Sequence, residues 1–172
     1  MFKISLCVLL FSSFLATAAA AETDTLFMSE EVIRMELRAD FTEIESDRTG
    51  TVKPHEGQLT YFNTDGSEVK LPVVVSVRGH FRKDPANCTF PPLMISFRED
   101  DVVNTVFRGQ GKLKLVTPCQ NDDDLIDEYL VYKLYNRVTD LSLKARLVKV
   151  EYYDTAGDSS IYERYSFFLE NK

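Results

Sequence analysis

Over residues 33–41 apolar and charged residues alternate without a break. Ile33, Met35, Leu37, Ala39 and Phe41 fall on one side, and Arg34, Glu36, Arg38 and Asp40 on the other. A period of two marks a strand with one face buried and one in water. Such a strand cannot stand alone. It needs neighbours for its backbone groups and a layer over its apolar side, and the rest of the chain has to supply both.

It does so in short pieces. Residues 58–62 are a β-prone run, 63–67 supply turn chemistry and 68–77 return, which together predict a hairpin. Pro72 within the return has no N–H to donate and points to an edge position or a bulge. Residues 93–97 and 111–116 read as two further strands, and 143–153 with 161–169 as a second hairpin about a turn at 154–160. Residues 42–56, rich in Glu, Asp, Thr and Gly, read as a solvated connection.

One helix is expected. Asn121, Asp122, Asp123 and Asp124 supply a cap and first-turn carboxylates, and Leu125, Ile126, Tyr129, Leu130, Leu134 and Val138 recur at three- and four-residue spacing. The N–H groups of the helix start account for the acidic cluster, which lacks the alternating ligands and glycine turn of a calcium loop. Strands, a helix and strands again make an α+β order. The economical packing is an antiparallel-rich sheet of about six to seven strands, with this one main helix on a face and its stripe covered by the sheet.

The N-terminus reads as an export signal. Lys3, an apolar run over 4–15 and small residues up to Ala21 predict a Sec-type segment cleaved before Glu22, leaving a single domain over 22–172. The run falls short of the roughly 20 residues a membrane span needs, and no other segment approaches one. Cleavage removes Lys3 and no acidic residue, so the net charge moves from −7 to −8. That balance argues against nucleic acid and against anionic lipid surfaces. The expected partner is an unidentified protein or small molecule, met in the periplasm or outside the cell.

Beyond the signal the chain keeps two cysteines, Cys88 and Cys119. In an oxidising compartment two thiols of a small exported domain most often pair, so a disulfide is expected. Two buried free thiols and a metal pair are the competing readings, the second poorly served by the distant His55 and His80.

Catalytic motifs are missing: there is no Gly-x-Ser-x-Gly elbow, no His-Glu-x-x-His and no glycine-rich phosphate loop. His80, between Gly79 and Phe81, reads as a surface or packing residue. No catalytic residue, metal or cofactor is therefore expected. The densest basic spot runs over residues 78–83, where Arg78 and Arg82 about the flexible Gly79 form a candidate grip for a carboxylate or phosphate. The alternative is internal pairing with Asp84, Glu99 or Glu128. A second candidate joins Lys114, with Lys112 beside it, to Glu128 on the helix. A strand lysine and a helix glutamate position ATP phosphates in protein kinases, although alternation leaves both lysines in solvent by default.

The blocks at 78–82, 88–93, 111–119, 128–132 and 164–170 resemble a family of uncharacterised bacterial exported proteins, over about residues 31–170. The two cysteine-bearing blocks are the most specific part, and the family implies no activity. The same order of elements also resembles the N-terminal part of the spore-coat CotH kinase-like proteins. That resemblance implies Lys114 and Glu128 as a phosphate-positioning pair, with ATP and magnesium as cofactors. The relatives continue past the segment matching 167–170, where a kinase's catalytic base and metal-binding aspartate lie. A chain ending at Lys172 is thus expected to be the N-terminal part of a longer domain, or a domain that binds without catalysing. The leading expectation is an exported binding or structural domain with no catalysis of its own. The alternative is the nucleotide-facing half of a CotH-like kinase.

Overall fold

The computed structural model describes residues 25–171, so the expected signal segment lies outside the described residues. Seven strands form: β1 Ile33–Ala39, β2 His55–Phe62, β3 Glu68–Val77, β4 Leu93–Ser96, β5 Lys112–Val116, β6 Ala145–Asp154 and β7 Ser159–Leu169. Three helices accompany them, α1 Phe41–Ser46, α2 Glu99–Val102 and α3 Asp123–Val138. The mostly-sheet α+β expectation holds. The main helix covering one face of a sheet does not.

The strands close into a barrel in the order β1-β2-β3-β4-β5-β7-β6, and β6 returns to β1. That last pairing is parallel, from Ile33 opposite Val148 to Ala39 opposite Asp154. All other neighbours are antiparallel. Closure removes the sheet edges and lets the inner face cover itself. Leu37, Leu59, Val75, Ile95, Leu113 and Val150 fill the interior, each fully enclosed. With the core made from the strands' own alternation, the helix is a minor element on the outer wall and not the lid the sequence suggests.

Two local features secure the register. Gly57 lies opposite Ala39, and a Cβ there would stand 2.7 Å from the Arg38 carbonyl oxygen, so no other residue fits. Pro72 lies on β3 opposite Gln58 of β2, while β4 pairs with β3 only from Val74 to Val77. The proline therefore occupies a stretch that β4 does not pair, although β3 itself is flanked on both sides in the closed barrel and is not an edge strand.

Aromatic rings plug both ends of the barrel. At one end Phe41 of α1 meets Tyr152 at 5.7 Å and Phe90 at 5.8 Å, and Phe90 meets Tyr152 at 4.9 Å. At the other, Phe107 stacks on Phe97 at 5.0 Å and meets Tyr61 and Phe168 edge-on, both at 5.5 Å. The expected solvated connection over 42–56 is corrected here. It contains α1, whose Phe41 and Ile44 are buried, and it also buries Asp47 and Arg48. The apolar residues are too few for a periodic signal; Arg48 is satisfied mainly by carbonyls distant in sequence, and Asp47 by Lys53 and His55 nearby.

On the outer wall α3 sets Leu125 and Tyr129 against Val116, Ala145, Phe167 and Leu169. Its start is capped by Asn121, whose Oδ1 accepts the Asp124 N–H at 3.0 Å while its amide donates to the Asp124 carboxylate at 3.0 Å. The stripe expected to be covered is mostly not. Ile126 is half-buried, and Leu130, Leu134 and Val138 face water. The convex wall of a barrel offers a helix a narrower contact than a flat sheet does.

Candidate anion-binding corner

Cys88 and Cys119 are joined, with their Cα atoms 4.5 Å apart. The bond ties the loop after β3 to the segment between β5 and α3. Thr89 strengthens the tie, since both its N–H and its hydroxyl donate to the Cys119 carbonyl at 2.9 Å. Within the loop, the Asn87 and Cys88 N–H groups donate to the Asp84 carbonyl, and the Asn87 amide donates to the Phe81 carbonyl at 2.8 Å.

A second clamp comes from Arg48, a residue the sequence did not single out. Its Nε donates to the Lys83 carbonyl at 2.9 Å, its Nη1 to Thr89 at 3.2 Å and to the Glu45 carboxylate at 2.6 Å, and its Nη2 to the Cys88 carbonyl. The guanidinium is almost wholly buried. Five N–H donors in a fixed fork suit several carbonyls converging from one loop. Next to it, buried Asp47 accepts from His55 Nε2 at 2.9 Å and from the Lys53 N–H at 2.8 Å. Burial pushes the Asp47 carboxyl up, but these two bonds and the nearby charges outweigh it and hold its pKa below the ordinary 3.8.

On this loop the corner residues come together. Arg78 ends β3 with its N–H on the Pro92 carbonyl at 2.9 Å, and Gly79 turns the chain at φ 84°, a left-handed conformation that glycine adopts without strain. Arg82 Nη1 lies 3.1 Å from the Glu128 carboxylate, and its Nη2 donates to the Thr117 carbonyl. Thr117 in turn is fixed by its hydroxyl on Pro91 O at 3.0 Å. Arg82 is therefore paired, as the internal-pairing alternative supposed.

Arg78 is not. Its half-buried guanidinium feels Arg82, Tyr132 and Glu128, yet it makes no side-chain hydrogen bond or ion pair among the described residues. Burial, followed by the neighbouring Arg82 charge, draws its pKa below the ordinary value. Both effects express the same deficit, a cation partly out of water and short of an anion. Phe81, 72% exposed, stands on the same loop.

Lys114 lies elsewhere. It points to the outside of β5, between Met94 of β4 and Leu169 of β7, and makes no ion pair among the described residues. Glu128 is engaged by Arg82, so the lysine–glutamate pair implied by the kinase resemblance is not formed. His80 is exposed in a turn. Among the described residues no cluster of three or more His, Cys, Asp or Glu could hold a metal ion, and no helix is long and apolar enough to cross a membrane. Comparison with protein-family models, curated proteins and solved structures finds no match.

Proposed function

We propose that the chain is an exported binding domain, without catalysis of its own, that holds an anionic group of a partner at the Arg78 corner. One observation carries this reading: Arg78 is half-buried and without an ion-pair partner among the described residues, beside a second arginine that already pairs with Glu128. An incoming carboxylate or phosphate would replace the missing counter-charge. A charge-assisted hydrogen bond of that kind contributes about 1.5–3 kcal/mol. The disulfide and the Arg48 clamp keep the loop in one arrangement, which lowers the entropy lost on binding. Export rests on the sequence of residues 1–21, and the crosslink suits an oxidising compartment.

The test is calorimetric titration at low ionic strength with inorganic phosphate, with citrate and with ATP plus magnesium. Binding of phosphate or citrate that weakens about tenfold in Arg78→Ala, with Arg78→Lys restoring only part, is the expected result. Equal binding by the parent chain and Arg78→Ala sinks the proposal. Binding of ATP that requires Lys114 and ignores Arg78 would favour the nucleotide-facing alternative instead.

A further inference from the structure

α3 carries two apolar faces, and the barrel covers only one. Leu130 is 50% exposed, Val131 51%, Leu134 67%, Tyr135 59% and Val138 83%, and Leu141 just beyond the helix is 90% exposed. Their three- and four-residue spacing lines them along one side of the helix, opposite the buried Leu125 and Tyr129. Leu141 follows the helix in a turn fixed by hydrogen bonds. Its N–H donates to Thr139 Oγ1 at 3.2 Å, and the Asn136 amide ties the following turn through Ser142 Oγ at 2.7 Å and the Leu143 carbonyl at 2.8 Å. Six neighbouring apolar side chains expose several hundred Å², a patch of the size that marks an interaction surface.

We infer that this face packs against α3 of a second copy of the chain, antiparallel, about a two-fold axis. Charge complementarity decides the occupant. The first turns carry Asp123, Asp124, Asp127 and Glu128, whereas the later turns carry Lys133 and Arg137. Turning one copy end over end lays the acidic start of each helix on the basic end of the other, twice by symmetry. It also opposes the two helix dipoles. A parallel arrangement would set like charges together. Glu128 and Lys133 already have partners within the chain, Arg82 at 3.1 Å and Glu30 at 2.8 Å. The contact across the interface therefore falls to Asp127 and Arg137, which bracket Leu130, Val131, Leu134 and Tyr135, with Val138 and Leu141 beyond them. Pairing these two brings Leu130 level with Leu134 of the second copy, so the charged register and the apolar register coincide. A helix of this length spans about 24 Å, and the contact lies near the lower end of the ~1,200–2,000 Å² range of stable interfaces. Reversible association is the consequence.

Sedimentation velocity over about 1–200 μM tests the proposal, a range that spans weak association. The purified chain should pass from monomer to dimer within it. Leu134→Glu should remain monomeric with an unchanged thermal midpoint, because that side chain already faces water in one copy. Asp127→Arg and Arg137→Asp should each weaken the dimer about tenfold, and the two together should restore it. A chain that stays monomeric throughout, a dimer that survives Leu134→Glu, or a double variant no better than either single one would each overturn the inference.

Discussion

Replacing both Cys88 and Cys119 by alanine tests how the corner is held. The bond closes a loop with a sequence separation of 31. In the chain-entropy treatment a loop of that length restricts the unfolded chain by about 12 cal/mol/K, or about 3.7 kcal/mol at room temperature. Alanine is the right replacement, because Cys88 is buried and a serine hydroxyl would need a partner there. The folded state should survive, since Arg48 still grips the Lys83, Cys88 and Thr89 carbonyls and Thr89 still donates to Cys119. The whole effect is then an unfolded-state effect. Urea unfolding followed by tyrosine fluorescence should show a loss of about 3–4 kcal/mol, equivalent to about 10 °C in the thermal midpoint for a domain of this size. A loss below about 1 kcal/mol would refute the reasoning, for it would mean that the unfolded chain keeps this loop closed without the bond.

Three further outcomes follow from single side chains. Arg48→Ala strands three carbonyls in or near the core and should cost about 3 kcal/mol or more in urea unfolding, with Arg48→Lys recovering little because one ammonium cannot reproduce the fork. Asp47, whose pKa is lowered on folding, contributes stability that is present above 3.8 and is lost as pH falls through its folded value. Asp47→Asn should therefore lower stability at neutral pH and flatten the acid limb of the stability–pH curve. An acid limb unchanged in slope would show that other carboxylates dominate it. Buried Tyr152 and Ser166 share a 2.8 Å hydrogen bond, so Tyr152→Phe should cost about 1–2 kcal/mol and Tyr152→Phe with Ser166→Ala appreciably less.

The strands were legible because alternation is a local property. β1, the β2–β3 hairpin, β5 and the β6–β7 hairpin fall on the runs over 33–41, 58–77, 111–116 and 143–169, although β2 begins earlier, at His55, within the stretch read as a connection. Closure was not legible, because it depends on β6 meeting β1, a pairing between residues more than a hundred positions apart. Alternation reads the same whether the covering layer is a helix or the far wall of a barrel. The corner was half legible. The run 78–82 and the two cysteines named the place, and the structure brings Arg78, Arg82 and Glu128 together there. Arg48 was invisible, since a charged residue in an acidic stretch looks solvated until its carbonyl partners arrive from 35–41 residues away, and Asp47 was missed because its Lys53 and His55 partners, though near in sequence, meet it only once the chain turns into β2.

The exposed stripe of α3 is the most instructive departure. The helix is held to the wall by few fully buried side chains, so its rotation about its own axis is not set by the apolar contact alone. Two ion pairs complete the setting: Glu128 to Arg82 toward the start, and Lys133 to Glu30 near the middle. The first also neutralises the second arginine of the anion corner, so a ligand at Arg78 and the seating of α3 share one carboxylate. Strengthening the anion's hold on Arg82 would loosen Glu128 and with it the helix rotation that presents Leu130, Leu134 and Val138. If both proposals hold, the two surfaces would be coupled through that single residue. Glu128→Gln weakens the tie on Arg82 without removing bulk, and it should raise anion affinity while lowering the dimerisation constant. A change in only one of the two measurements would show that the corner and the helix face act independently.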